Sequence, residues 1–270
     1  MSTYLITGVS RGLGFEFLRQ LSEDPANTVV GLVRDKATTE KKASVELHDR
    51  DNIHLLQGDI TDYAFLKKAV DATAAITGGA LDYVIANAAF ISTWSAFDPI
   101  GVLGNQPEKL EQDLLGSLNA NVIGNIHLFN LTIPLVLRGH AKKIIAISSG
   151  MADIDVITKF DITESAPYSI SKAALNAAVA KFSAQYAKDG VLFLSISPGL
   201  VDTGNFKDAT IEQQQALFAL MGKFKKFAPH FTGPTTPDLA IRDVLSVIKK
   251  ASVDADKGAF ISQHGDKNWL

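Results

Sequence analysis

The sequence predicts an α/β protein: one domain, residues 1–270, with a doubly wound parallel sheet of about seven strands and helices on both faces. Three observations carry that expectation. Short runs of Val, Ile and Leu recur along the chain, each followed by a segment of helical periodicity, which is the rhythm of strand–helix–strand units around a buried parallel sheet. The ends of those runs are punctuated by Gly, Pro, Asn and Ser. A chain of 270 residues that is 46% hydrophobic can also bury a sizeable core, and α/β folds of this length are often one domain.

The first run, Tyr4-Leu5-Ile6, stops at Thr7-Gly8-Val9-Ser10-Arg11-Gly12-Leu13-Gly14, and Phe15, Phe17, Leu18 and Leu21 then follow at helical spacing. Glycines at 8, 12 and 14 let the backbone turn tightly and approach a pyrophosphate. The free N–H groups and positive dipole end of the new helix face its charge. The spacing Gly-x-x-x-Gly-x-Gly differs from the ordinary dinucleotide pattern.

Thr28 to Val33 is the second strand, and its end is where a nucleotide-binding sheet reads the adenosine ribose. Arg34, with Arg11 on the same side, suits a 2′-phosphate and predicts NADP(H). Asp35, if it stands at the strand tip instead, would accept from both ribose hydroxyls, so NAD(H) stays open. For either arginine the alternative is a solvated surface charge.

Lys36 to Leu47 reads as an exposed helix, Ile53 to Leu56 as a strand, and Gln57-Gly58-Asp59-Ile60-Thr61-Asp62 as the turn after it. Asp59 could accept from an adenine amine or cap the next helix, a role Thr61 or Asp62 could share. A helix over 63–77 ends at Gly78-Gly79, and a fourth strand, 81–86, runs into Asn87-Ala88-Ala89. Small residues there would let a cofactor lie against the backbone, while the Asn amide could tie neighbouring strands together.

Residues 90–107, with Trp94, Phe97 and Pro99, read as a loop that could wall a substrate. One or two helices over 114–137 carry Asn119, Asn121 and Asn125, and asparagine needs a reason to be buried in a helix. The fifth strand, 143–148, ends in Ser148-Ser149. Residues 151–167 read as a loop whose acids, Asp153, Asp155, Asp161 and Glu164, are solvated rather than metal ligands. A helix through Asp189 stops at Gly190, and a sixth strand, 191–197, closes with Pro198-Gly199-Leu200-Val201-Asp202-Thr203, a rigid turn suited to a flat ring. Residues 204–237, with Phe206, Phe218, Phe224, Phe227, His230 and Phe231, read as a partly helical apolar lid. A last helix (238–251), a last strand (258–262) and the tail 264–270 complete the chain.

The net charge of -3 and scattered Lys and Arg residues leave no footprint for nucleic acid, so a small-molecule partner fits better. Absence of cysteine excludes thiolate catalysis, disulfides and Cys-ligated zinc. The six histidines show no metal-ligand spacing, so no metal is expected. The first strand begins with no basic and apolar leader ahead of it, and Val122–Leu137 is interrupted by Asn125, His127, Asn130 and Pro134. A soluble, cytoplasmic protein without a membrane partner is the expectation.

Tyr168 and Lys172 stand four apart at the start of an Ala-rich helix, so both side chains project from one face. A phenol titrates near roughly 10 in isolation, and a fixed cation one turn away would stabilise its phenolate and bring it towards acid–base work. A surface i,i+4 pair is the alternative.

These elements in this order resemble the short-chain dehydrogenase/reductase family over nearly the whole chain. Thr7-Gly8-x-x-x-Gly12-x-Gly14 is similar to its glycine motif, Asp59 to its adenine-contacting acid, and Asn87-Ala88-Ala89 to its Asn-Ala-Gly motif with Ala89 in place of glycine. The resemblance implies a Rossmann-type fold and a catalytic set of Asn121, Ser149, Tyr168 and Lys172. It also implies a nicotinamide segment from Pro198 and Gly199 through Val201 to Thr203. Ser149 and Tyr168 lie 19 positions apart, several more than the family usually has, which leaves Ser148 as a substitute and implies an insertion at 151–167. Within the family, C-factor and sniffer-type carbonyl reductases and fungal ketoreductases are the nearest resemblance.

The same resemblance implies hydride transfer between NADP(H) and a ketone, aldehyde or alcohol, with an apolar substrate. Tyr168 would protonate the alkoxide, Ser149 would bond the carbonyl oxygen, Lys172 would lower the phenol and bind the nicotinamide ribose, and Asn121 would hold a water. An NADP(H)-binding regulator without turnover, or an epimerase or dehydratase, would be the alternatives. Small residues on the Tyr168 helix leave a homo-oligomer open.

Overall fold

The computed structural model describes residues 1–204 and 210–270. Among them, seven strands form one sheet: β1 (Thr3–Thr7), β2 (Thr28–Val33), β3 (Ile53–Gln57), β4 (Tyr83–Ala86), β5 (Lys143–Ile147), β6 (Leu192–Ser197) and β7 (Phe260–Ser262). Their order is β3-β2-β1-β4-β5-β6-β7, with every ladder parallel. The strands read as continuous apolar runs because successive residues serve opposite faces and both faces are covered.

Leu5, Val84, Ile144 and Phe193 face one layer, where α3 (Tyr63–Ile76), α6 (Gly124–Val136) and α8 (Ala166–Tyr186) contribute Leu66, Phe129 and Leu175. Their neighbours Ile6, Ile85, Ile145 and Leu194 face the other. There α1 (Gly12–Leu21) and α10 (Pro237–Lys250) contribute Phe17, Leu18, Ile241 and Val244. Complete burial of each such side chain contributes roughly 1.5–3 kcal/mol. A third apolar cluster stands apart from both, around Ile162, Leu220, Phe224, Ala228 and Phe231, and is centred on α9 (Ile211–Phe227).

The remaining helices are α2 (Lys36–Glu46), α4 (Ile100–Leu103), α5 (Pro107–Leu118), α7 (Ile154–Lys159) and α11 (Val253–Asp256). Asp35 and Asp62 cap α2 and α3 with side-chain acceptors. Gly78 (φ +66°) ends α3, while Gly190 (φ +77°) ends the 3₁₀ turn that follows α8.

Two expected loops contain helix. Within 90–107 lies α4, and α5 starts at Pro107, seven residues ahead of the expected start at 114. Pro107 presets the first turn and Glu108 complements the helix dipole. The early part of α5 is largely exposed and carries no apolar stripe to reveal it. Between α5 and α6 the backbone makes a π-helical turn, Asn119–Ile123. Within 151–167, Asp153 accepts from the backbone N–H groups of Asp155 and Val156 and so starts α7. The acids of this segment divide: Asp155 and Asp161 are exposed, whereas Asp153 and Glu164 are buried and partnered, against the expectation that all four are solvated. Of the proposed lid, Phe206 lies outside the described residues.

Candidate active site

Strand order reverses between β1 and β4, so their carboxyl ends diverge and leave a crevice, the usual ligand site of an open α/β sheet. A cleft of about 790 Å³ occupies it. Its floor is the β1–α1 turn, with Gly8, Ser10, Arg11, Gly12, Leu13 and Gly14 all lining it. Gly8 (φ +74°) donates its N–H to Leu32 O at 2.8 Å, and a Cβ on it would stand 2.9 Å from Ala88 Cα. A Cβ on Gly14 would run into the Gly8 carbonyl oxygen and come within 2.5 Å of Asn87 Nδ2. The glycine spacing therefore satisfies two close backbone approaches. Arg11, the N-cap of α1, offers no side-chain cap, so the first N–H groups of the helix are left for an anionic ligand.

Asn87 Nδ2 donates to Thr7 O (3.0 Å) and Gly8 O (3.2 Å), tying β4 to β1. Thr7 Oγ1, a group the sequence did not single out, accepts from the N–H groups of Asn87 and Ala88. Ala88 and Ala89 line the cleft beside these bonds.

At the far end, Arg34 and Arg11 both line the cleft and are exposed. Asp35 lines it too, but its carboxylate accepts from Thr38 N (3.1 Å) and Thr38 Oγ1 (2.6 Å) as the cap of α2. Asp59 Oδ1 accepts from Thr61 N and Thr61 Oγ1, so it braces its own turn, with Ile60 beside it on the cleft wall. Thr203 closes the opposite wall near Gly12, 3.5 Å from where a Cβ there would stand. A volume of this size, a pyrophosphate cradle of backbone N–H groups and cations at one end together fit a dinucleotide.

Beyond the cleft, β5, β6 and α8 bring together the polar residues singled out from the sequence. Tyr168 sits in the first turn of α8 and is half-buried. Burial pushes its phenol up to about 12, with the Ser149 hydroxyl pulling the other way. Ser149 therefore lies against Tyr168 despite their long sequence separation, because α7 and the turns around it loop out and return. Ser148 is buried and its hydroxyl donates to Asn176 Oδ1 at 2.8 Å.

Lys172 is 2% exposed and donates to Ile147 O at 2.7 Å, with its Nζ 5.7 Å from the Tyr168 ring centroid. Burial pushes its ammonium down to about 8. Desolvation dominates at both groups, so the net direction at Tyr168 is upward, and the ammonium is bonded to a strand carbonyl.

Asn121 is wholly buried in the π-helical turn. Its Oδ1 accepts from Phe90 N (2.7 Å), and its Nδ2 donates to Phe90 O (2.9 Å) and Ser171 Oγ (2.9 Å). Both amide hydrogens are spent, so this side chain clamps the segment after β4 to α8 and does not hold a water through its amide N–H groups.

Gly199 (φ +81°) packs against Gln263, and its N–H donates to Ser197 Oγ at 3.3 Å. Ser197 Oγ also accepts from Gly150 N at 3.0 Å, linking the turns after β5 and β6. Pro198 begins that second turn, and Val201 continues it in a bridge to Thr235.

The sequence and fold of this chain match known proteins throughout their length. A profile described as short chain dehydrogenase matches residues 2–214. The short chain dehydrogenase VirK of Hypocrea virens is 58% identical, with all of both chains covered. The chain belongs to the short chain dehydrogenase family. Members of this family are oxidoreductases that bind nicotinamide cofactors. The short-chain dehydrogenase/reductase IacC of Pestalotiopsis fici is 53% identical, again over all of both chains. Among solved structures, the carbonyl reductase Sniffer of D. melanogaster superimposes with TM-score 0.78 at 22% identity, and an NADPH-bound carbonyl reductase from chicken fatty liver with 0.76 at 22%. Each covers 98% of both chains, and these likenesses show the fold. Among the described residues, no helix is long and apolar enough to cross a membrane.

One structural feature beside the site escaped the sequence. The tail returns to the site: Trp269 is 3% exposed, stacks on Phe260 and donates its indole N–H to Asp153 Oδ2 at 3.1 Å. The apolar pair Trp269-Leu270 ending a mostly polar tail was the available signal.

Proposed function

We propose that this short chain dehydrogenase is an NADP(H)-dependent carbonyl reductase, reducing a ketone or aldehyde to an alcohol or running the reverse oxidation. The observation that carries the reading is the Tyr168 phenol lying beside Ser149, with the buried Lys172 one turn further along α8. When bound, the nicotinamide supplies the hydride. Everything else falls to the chain. The N–H groups at the start of α1 receive the pyrophosphate, with Gly8, Gly12 and Gly14 permitting the approach. Arg11 and Arg34 receive a 2′-phosphate, a preference supported by Asp35 being committed to its helix cap. The Asp59 oxygen not used on Thr61 remains for the adenine amine, and the Pro198–Thr203 turn, with Val201, bounds the nicotinamide end.

Tyr168, held protonated by its burial, gives its proton to the developing alkoxide, while Ser149 donates to the same oxygen. Lys172 orients the nicotinamide ribose and carries positive charge below pH about 8. Asn121 is a positioning residue in this scheme, holding Phe90 and α8 in register. The lid at 204–237, through α9, covers the substrate. A cytoplasmic setting suits the cofactor. The carbonyl reductase titles of the structural neighbours support the reaction class.

The test is NADPH oxidation across a panel of carbonyl compounds, with NADH in parallel. Tyr168→Phe should lower kcat by about 10²- to 10⁴-fold while retaining NADPH affinity. Near-full turnover in that variant would sink the assignment. NADPH binding without oxidation on any substrate would leave a cofactor-binding regulator, and a preference for NADH would overturn the reading of Arg34.

A further inference from the structure

Next to Ser149 lies a second, smaller compartment of about 50 Å³, bounded by Met151 and Leu200 on the sheet side, Phe224 and Phe227 of α9, and Trp269 and Leu270. We propose that Trp269 is a specificity-determining wall of the substrate compartment, and that the compartment selects carbonyl compounds whose larger flank is apolar and uncharged. The inference deepens the carbonyl reductase reading and rests on it for the location of the reacting carbonyl.

Three observations place Trp269 there by construction. Asp266 folds the tail back: its carboxylate accepts from Ser262 Oγ and from Asn268 N, and Ser262 N donates to its carbonyl at 2.7 Å. The returning indole then stacks on Phe260 with centroids 4.4 Å apart and reaches Asp153. Finally, Gly150 is fitted to it, since a Cβ at that position would stand 2.7 Å from Trp269 Cβ. Residues 150 and 269, at opposite ends of the catalytic half, therefore occupy one space, immediately beside Ser149. Met151 N donates to Ser149 Oγ at 3.2 Å, so the same wall also orients that hydroxyl.

The chemistry of the wall sets the ligand class. Among the described residues, no charged side chain lines the compartment. The nearby carboxylate of Asp153 is spent on the indole and on the start of α7. An anionic flank would lose its hydration without finding a cation among the lining side chains. The compartment is also far below the roughly 300–1,000 Å³ of ordinary small-molecule sites. A bulky flank enters only as α9 and the Trp269 wall separate, and the size of Trp269 limits what fits.

The experiment compares wild type, Trp269→Phe and Trp269→Ala on 2-butanone and 4-phenyl-2-butanone at saturating NADPH. In Trp269→Ala the preference in kcat/KM for the phenyl ketone should rise about tenfold, through KM rather than kcat, with Trp269→Phe between the two. An unchanged ratio in variants that bind NADPH normally overturns the proposal. Should Trp269→Ala not fold, the Phe variant decides by the same ratio. A second readout needs no turnover. The chain has two tryptophans, so 5-fluorotryptophan labelling gives two ¹⁹F resonances, and Trp94→Phe identifies that of Trp269. Addition of 4-phenyl-2-butanone should shift the Trp269 resonance, and a stationary one overturns the wall. If it shifts while Tyr168→Phe keeps its turnover, the wall stands and the catalytic reading falls.

Discussion

On the β1/β4 side of the site, recognition is built from backbone: Gly8 against Ala88, Gly14 against the Gly8 carbonyl, and Asn87 and Thr7 locking the two strand ends together. On the β5/β6 side it is built from side chains of distant segments, with Met151, Leu200, Phe224, Phe227 and Trp269 meeting around one small compartment. The first region stands on the two sheet cores, where Leu5, Ile6, Val84 and Ile85 are completely buried. The second stands on the separate cluster under α9, tied to its surroundings by the Val201–Thr235 bridge and by the ion pair of Lys223 with Glu164. Backbone approaches tolerate little adjustment, whereas side-chain packing can be re-cut by substitution without disturbing the sheet. Under the proposed function, cofactor recognition and substrate choice would thereby be separable.

The largest expected effect breaks the rigid side. Gly14→Ala places a methyl on the Gly8 carbonyl and should cost roughly 1–3 kcal/mol of stability, with loss of NADPH binding. Denaturant unfolding and cofactor titration measure both. The counterpart on the adaptable side is Gly150→Ala, where the tail can shift, so stability should fall less and ketone KM should change while NADPH affinity does not. Equal losses of cofactor binding in the two variants would erase the distinction.

Arg34→Ala comes next. Removing one charge-assisted contact should lower kcat/KM for NADPH by about 10- to 100-fold and leave NADH use nearly unchanged, with ketone selectivity unaltered. A parallel loss with both cofactors would show Arg34 to be a solvated charge.

The pH dependence is smaller and its sign follows from Lys172. Burial lowers this ammonium to about 8, so it is charged below that pH and neutral above it. If the charge orients the cofactor, kcat/KM for NADPH, which reports the free enzyme, should fall as pH rises through about 8, by up to tenfold per unit. Tyr168, raised to about 12, stays protonated throughout. A flat profile from pH 7 to 10 would remove Lys172 from cofactor binding.

The smallest effect belongs to the lid. Lys223 on α9 donates to Asp161 O (2.6 Å) and Glu164 Oε1 (2.7 Å), both in the segment before α8. Lys223→Met should loosen that contact by about 1 kcal/mol. It should raise ketone KM about fivefold, with NADPH affinity intact. A change in NADPH affinity instead would mean that the two regions are mechanically coupled.

The sequence by itself determined the α/β architecture, because runs such as Lys143–Ile147 and Thr28–Val33 are apolar almost throughout and only a sheet buried on both faces accommodates them. It also determined the position of the glycine turn, since the positive φ of Gly8 and Gly12 answers to local backbone geometry. The first seven residues of α5 and all of α7 stayed hidden because the early part of α5 is exposed without an apolar stripe and the two starts rest on Pro107 and on the Asp153 cap. The tertiary structure decided what depends on contacts between distant residues. It set Ser149 rather than Ser148 against Tyr168, committed Asn121 to Phe90, and buried Glu164 with Lys223. It also folded Trp269 back against Gly150. Periodicity and turn chemistry are local and can be read from neighbours in sequence, whereas the direction of a buried hydroxyl or indole is settled by partners tens to more than a hundred residues away.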